Sequence, residues 1–240
     1  MADEYVTADG GTPKGGETSL AGEIGDLLLV VQQQLRDVTG ASWPPSVMNL
    51  YVDYVLLEIV KLDPQAYPVE KTLQLNAGAQ QKIIQQATTF KAISILDFIC
   101  NMGIGGQSTG LSIISLEKNA LDHLLPDWQT YAENYVVNCA VKDDRNPLVF
   151  YVFPPQPAGN RGYVKILISV PPDPITSTNT DFPFDPSYKI AFIDGMIWKC
   201  LSEETNMQGA TAKSENYRNK FLQDLGLTAN VQKQINDKGR

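Results

Sequence analysis

Residues 135–170 read YVVNCAVKDDRNPLVFYVFPPQPAGNRGYVKILISV, and the period of that stretch is two. Tyr135, Val137, Cys139 and Val141 fall on one face of an extended chain, the polar run Asp143-Asp144-Arg145-Asn146-Pro147 reverses it, and Leu148 to Phe153 returns until Pro154-Pro155. Val164, Ile166, Ile168 and Val170 then alternate with Lys165 and Ser169, as in an antiparallel strand with one covered face. Pro171, Pro172 and Pro174 stop it.

Upstream the same period holds. Thr72 to Asn76 alternates, Gly78 supplies a turn, and Gln80 to Ile84 is expected to return as the partner strand of a hairpin. Ala92 to Cys100 and Leu111 to Leu116 read as further strands, and Glu117 to Leu125 as a short helix stopped by Pro126. The stretch predicts an antiparallel sheet or small sandwich of about six or seven strands joined by short turns.

On either side the period is helical. Ile24, Leu27, Leu28, Val31 and Leu35 make one face of a first helix that Gly40 is expected to end. A second begins at Pro44-Pro45-Ser46, with proline in its first turn. It carries two apolar stripes: Val47, Leu50, Tyr51 and Tyr54, and Val52, Val55, Leu56, Ile59 and Leu62. After Asp185-Pro186, Ile190, Ile193, Ile197 and Leu201 form an expected core stripe with Tyr188, Phe192 and Met196 beside it. A last helix from Gly209 to Leu225 carries Ala210, Tyr217, Phe221, Leu222 and Leu225, and Gly226 caps it.

The fold class is therefore α+β, a helical bundle of N- and C-terminal helices with an inserted antiparallel β-sheet or sandwich. Residues 1–20 form a glycine-rich arm expected to be flexible; 21–69 and 183–226 form the helical domain, 70–182 the inserted β domain, and 227–240 a tail. A surface helix needs only one apolar stripe. A helix with two is either central in its bundle or shared with a neighbouring subunit, which makes Val52, Val55, Ile59, Tyr188, Phe192 and Met196 candidates for a subunit contact. In the tail, Leu227, Val231 and Ile235 stand four apart and would line one side of a short helix, either a weak surface helix or a docking stripe.

Catalytic chemistry is not legible. His123 has no serine or cysteine nucleophile in a recognisable elbow beside it, and no metal-ligand spacing surrounds it. The three cysteines, Cys100, Cys139 and Cys200, lie far apart in apolar runs and read as buried small hydrophobes in a reduced protein. The Gly103-Ile104-Gly105-Gly106 loop lacks the lysine and hydroxyl of a phosphate cradle. Trp43 is explained as a hydrophobic staple, Trp128 as a cover on the sheet, and Trp198 by the second face of its helix. No catalytic residue, cofactor or metal is expected. The N-terminus has neither a basic start nor an apolar core of a secretory signal, and no run of eighteen apolar residues occurs, so no membrane association is expected. A net charge of −8 repels nucleic acid on average.

Segment order then carries a resemblance. The run YVDYVLLEIVKLDPQAY from Tyr51, LQLNAGAQQKI from Leu73, ILDFICNMG from Ile95, LPDWQ from Leu125, DDRNPLVFYVFPPQPA from Asp143, and Tyr217, Phe221 and Leu225-Gly226-Leu227 are similar to the head-to-tail adaptor, or connector, proteins of tailed, short-tailed bacteriophages. The similarity spans about residues 47 to 227. It implies a non-enzymatic virion protein at the head-tail junction, made in the host cytoplasm and assembled as a homo-oligomeric ring, a dodecamer, beneath the portal protein. Such a ring extends the DNA channel, lets double-stranded DNA pass without specific binding, and docks the tail nozzle or neck protein. On that reading Leu227, Val231 and Ile235 would meet the portal. Two other classes compete: a carbohydrate-binding or host-recognition module presenting Tyr135, Tyr151 and Tyr163 from one sheet face, and a small acidic hydrolase using Asp143 or Glu203.

Overall fold

Helix α1 (Gly22–Leu35) buries Ile24, Leu27, Leu28 and Val31, the stripe its spacing predicts. The structure, a computed structural model, describes residues 22–83, 91–143, 145–175, 180–204 and 209–227. The expected flexible arm, Ile84, Asp144 and the tail beyond Leu227 lie outside the described residues.

α1 stops earlier than Gly40. Arg36 takes a left-handed φ of 59°, and the buried Asp37 carboxylate accepts the backbone N–H groups of Ala41 (2.8 Å), Ser42 (3.0 Å) and Trp43 (2.8 Å). Gly40, at φ 66°, serves that turn rather than the helix end. Helix α2 (Pro45–Leu62) follows and buries Met48, Val52, Val55, Leu56, Ile59 and Val60. Trp43 and Met48 lie in the same apolar cluster, in the positions of a staple.

Helix α4 (Lys189–Glu203) is the centre of the bundle, with α1, α2 and α5 (Ala210–Asp224) all against it. It comes close to α2 and α5 at Gly195, where an added Cβ would sit 2.8 Å from Val55 Cγ1 and 3.1 Å from the Phe221 ring. That approach corrects part of the expected stripe, whose Ile197 and Leu201 are buried as expected. The buried arc centres on Phe192, Gly195 and Met196, whereas Ile190, expected in the core, is 65% exposed. A helix with neighbours on three sides buries a wide arc, and the glycine marks its middle.

The strands are β1 (Pro68–Gln74), β2 (Gly78–Lys82), β3 (Ser94–Asn101), β4 (Ile114–Leu116), β5 (Cys139–Lys142), β6 (Val149–Gln156) and β7 (Tyr163–Ser169), with helix α3 (Lys118–Leu124) after β4. One sheet has the order β1-β7-β3, all antiparallel; the other has the order β2-β6-β5-β4, with β4 parallel to β5. The second sheet is thus mixed, because β4 and β5 are joined through α3 rather than through a hairpin.

Three local expectations are corrected. β1 and β2 do not pair with each other; the chain turns a corner between sheets, and β1 joins β7 while β2 joins β6. The Gln81 side chain closes that corner, accepting from Asn76 N–H (2.6 Å) and donating to the carbonyls of Asn76 (2.8 Å) and Gly78 (3.0 Å). Pro154-Pro155 does not end β6, which runs to Gln156; proline lacks a donor, but the Pro155 carbonyl still accepts from Asn134 N–H at 2.9 Å. Tyr135 and Val137 precede β5, since Asn101 takes the Val137 peptide into its own side-chain amide at 2.8 Å in both directions. Gln156 works likewise, donating to the Asn134 carbonyl (2.8 Å) and accepting from Gly162 N–H (2.9 Å).

The sheets face each other around Val164, Ile166 and Ile168 of β7, with Phe98 and Phe150 meeting across the layer at 5.2 Å between ring centroids. On the outer side of the second sheet, Cys139 and Val141 pack under Leu121 and Trp128, so Trp128 covers the sheet as expected. Its indole N–H donates to Asp122 at 2.8 Å.

Where the chain leaves the helices and returns, rings are stacked edge to face. Tyr67 meets Phe184 at 6.0 Å, Phe184 meets Phe182 at 5.5 Å and Tyr188 at 5.8 Å, and Phe182 meets Phe192 at 5.4 Å. Polar bonds reinforce the junction: Ile175 N–H donates to Asp53 (2.8 Å), the Tyr188 hydroxyl donates to Asp63 (2.6 Å), and Glu23 accepts from Phe182 N–H (2.9 Å) and pairs with Lys189.

Gly195→Ala should overfill the α2–α4–α5 contact and lower stability by roughly 1–3 kcal/mol. The shift would appear as a reduced urea midpoint with an unchanged slope; an unaltered midpoint would show that Val55 and Phe221 yield freely.

Candidate assembly surfaces

The two stripes of α2 have separate fates. Val52, Val55 and Ile59 are fully buried inside the chain, as are Phe192 and Met196 of α4. Five of the six residues expected at a subunit contact therefore hold the helices to one another. The sixth, Tyr188, is half-buried and tied to Asp63; burial first and that bond second push its hydroxyl pKa up to about 12. The stripe that reaches the surface is the other one, where Leu50 is 69% and Tyr54 38% exposed.

Around Tyr54 a mixed aromatic and cationic face extends over α2, α4 and α5. The Tyr54 and Trp198 rings lie 6.2 Å apart, and Trp198 is stacked on the buried Phe221 at 5.8 Å. Lys199 sits 4.7 Å from the Tyr54 centroid and 5.5 Å from Tyr51, and Arg218 lies 5.8 Å over Trp198. Glu203 pairs with Lys199 and raises its pKa, while burial raises that of Tyr51. Sequence reading named the Leu50 and Tyr54 stripe but not Lys199 or Arg218; the available signal was a base placed to lie over an aromatic ring on a neighbouring helix.

A second exposed face belongs to α1, where Asp26, Leu29, Val30 and Gln33 point to solvent. A third lies on the β region, where Leu111, Ile114 on the edge strand β4, and Leu124 are all largely exposed. Leu227 follows the Gly226 cap of α5 and is half-buried, while Val231 and Ile235 lie outside the described residues.

The competing site residues do not converge. Tyr151 lies in one sheet, Tyr163 in the other and Tyr135 outside both, so they share no sheet face. Tyr151 is turned edge-on to Trp128 at 5.9 Å with its hydroxyl 3.3 Å from Asp143. Asp143 caps the β5–β6 turn through Arg145 and Asn146 N–H groups, which hold its carboxyl below the usual range. Glu203 ends α4 in the helical cluster's own region, paired with Lys199. His123 is exposed near the end of α3. All three cysteines are buried and free, and burial pushes Cys200 up to about 12. Among the described residues no group of His, Cys, Asp and Glu is arranged to hold a metal ion, and no helix is long and apolar enough to cross a membrane.

Comparison with known proteins gives one family. Residues 23–238 match the family model described as SU10 adaptor protein. No curated protein matches the chain.

One titrating group beside the α4–α5 contact is held against its ordinary behaviour. Burial, and then the neighbouring Asp224 carboxylate, raise the pKa of Asp194, with Lys220 opposing. A carboxyl whose pKa rises on folding costs stability once pH exceeds its unfolded value, and the cost is complete above its folded value. Asp194→Asn should therefore raise the thermal midpoint at pH 7, and the gain should vanish below about pH 3.9, the ordinary aspartate pKa. A gain that persists at low pH, or a loss at pH 7, would contradict this electrostatic account.

Proposed function

Because the chain belongs to the SU10 adaptor protein family, a family of phage head-to-tail adaptors, we propose that it forms a ring beneath the portal protein, extends the DNA channel and docks the tail nozzle or neck. The observation that carries this reading is the family match, which spans the helical body and the β insertion alike. The ring is a homo-oligomer, by the family likeness a dodecamer, at the head-tail junction of the virion.

The physical character of the chain supports it. A net charge of −8 suits a conduit through which double-stranded DNA passes without being gripped. Exposed apolar side chains on the helical body and on the β edge suit a part with neighbours on more than one side. The protein acts by position and not by catalysis: the carboxylates a hydrolase would need, Asp143 and Glu203, are committed to a turn and to a lysine in different parts of the fold.

In this arrangement the helices form the ring body, and the β insertion faces the tail or braces the adjacent subunit. The tail of the chain, with Leu227, Val231 and Ile235, attaches to the portal.

The test is to mix the purified full chain with its phage's portal protein and follow assembly by mass measurement and imaging. A large ring appearing on the portal is expected; a persistent monomer in its presence would sink the reading. Removing residues 226–240 should leave far-UV dichroism and the melting midpoint close to those of the full chain while abolishing portal attachment. Undiminished attachment would remove the tail from the contact.

A further inference from the structure

Two surfaces of the helical body have complementary chemistry. The first is the face of Leu50, Tyr54, Trp198 and Arg218. On it the charge of Lys199 is already met by Glu203, but Arg218, over the Trp198 ring, makes no ion pair among the described residues. The second is α1, whose sequence GEIGDLLLVVQQQL contains two acids and no base. Glu23 is consumed inside the chain by Lys189 and Phe182 N–H. Asp26 is exposed without an ion pair among the described residues, beside the exposed Leu29 and Val30.

We propose that the α2–α4–α5 face of one copy receives the α1 face of the next copy, head to tail, with Arg218 against Asp26 and the aliphatic pair Leu29 and Val30 on the Tyr54 and Trp198 rings. The inference rests on the adaptor reading and specifies the contact within its ring. Because the two surfaces are built from different helices, the contact is heterologous: each copy presents one face forward and the other back, the geometry that propagates into a ring. Both faces are fixed to α4, so the rotation from one copy to the next is set by the packing of a single helix.

Charge reversal tests the contact on the full-length chain with the portal protein present. Arg218→Glu alone would bring two carboxylates together at every junction, and Asp26→Arg alone would bring two guanidinium groups together. Each should weaken ring assembly by at least about tenfold, since like charges brought together at an interface are strongly disfavoured. In an equimolar mixture the two variants can alternate around the ring, so that every junction pairs opposite charges, and assembly should recover. Both residues are exposed, so dichroism should match wild type, and melting should move no further than loss of the Arg218–Trp198 contact accounts for.

Variants that each assemble as well as wild type would overturn the contact and leave the adaptor reading intact. Loss of assembly in both without recovery in the mixture would also overturn it, pointing to the portal as the occupant of these faces. Failure of the wild-type chain to assemble on the portal would count against the adaptor reading itself and would take this contact with it.

Discussion

The fold depends on the ring contacts that close the junction between helices and sheets. An insertion of about a hundred residues leaves the helical body after Tyr67 and returns at Phe182 and Phe184, and unless those two points are held together the two parts do not share an orientation. Tyr67 on Phe184 does this directly, and Phe182 carries the contact into Phe192 at the centre of the bundle. The sandwich is thus anchored to the same helix that positions both exposed faces of the body. Phe182, Phe184 and Phe192 belong to the helical core itself, so a lost ring here would open that core as well as loosen the joint.

Much of this was legible in the sequence because burial imposes a period. The strand β7 shows its alternation plainly, and α1 its single stripe, since each has one covered face and one open face. The family likeness was carried by segment order and turn wording, and the match to the SU10 adaptor model agrees with it. Where the reading failed, the deciding group was polar or absent. Alternation around Gly78 looks the same for a hairpin and for a corner between sheets; the side-chain amide of Gln81, one polar residue in a strand, makes it a corner. In α4 the expected stripe placed Ile197 and Leu201 correctly but extended to the exposed Ile190, although Gly195 marked the middle of the buried face by the close approach of two helices.

The same limit explains the assembly residues. Hydrophobic width in α2 was correctly seen as more than a surface helix needs, but periodicity does not say which stripe a chain keeps for itself. The aliphatic, β-branched stripe packs densely in the interior, while the stripe with two tyrosines and Leu50 reaches the surface, where rings pair with cations from neighbouring helices. Composition within a stripe, rather than its spacing, distinguishes the two.

Three corners and loops of the sandwich are closed by the carboxamides of Gln81, Asn101 and Gln156, and the β5–β6 turn by the carboxylate of Asp143. Where the chain returns to the helices the acceptors are carboxylates, Asp53 for Ile175 N–H and Glu23 for Phe182 N–H. Each carboxamide bonds through its oxygen and its nitrogen at once, so the three act as two-hooked clasps, and a carboxylate of the same shape would keep one hook and turn the other against a carbonyl oxygen.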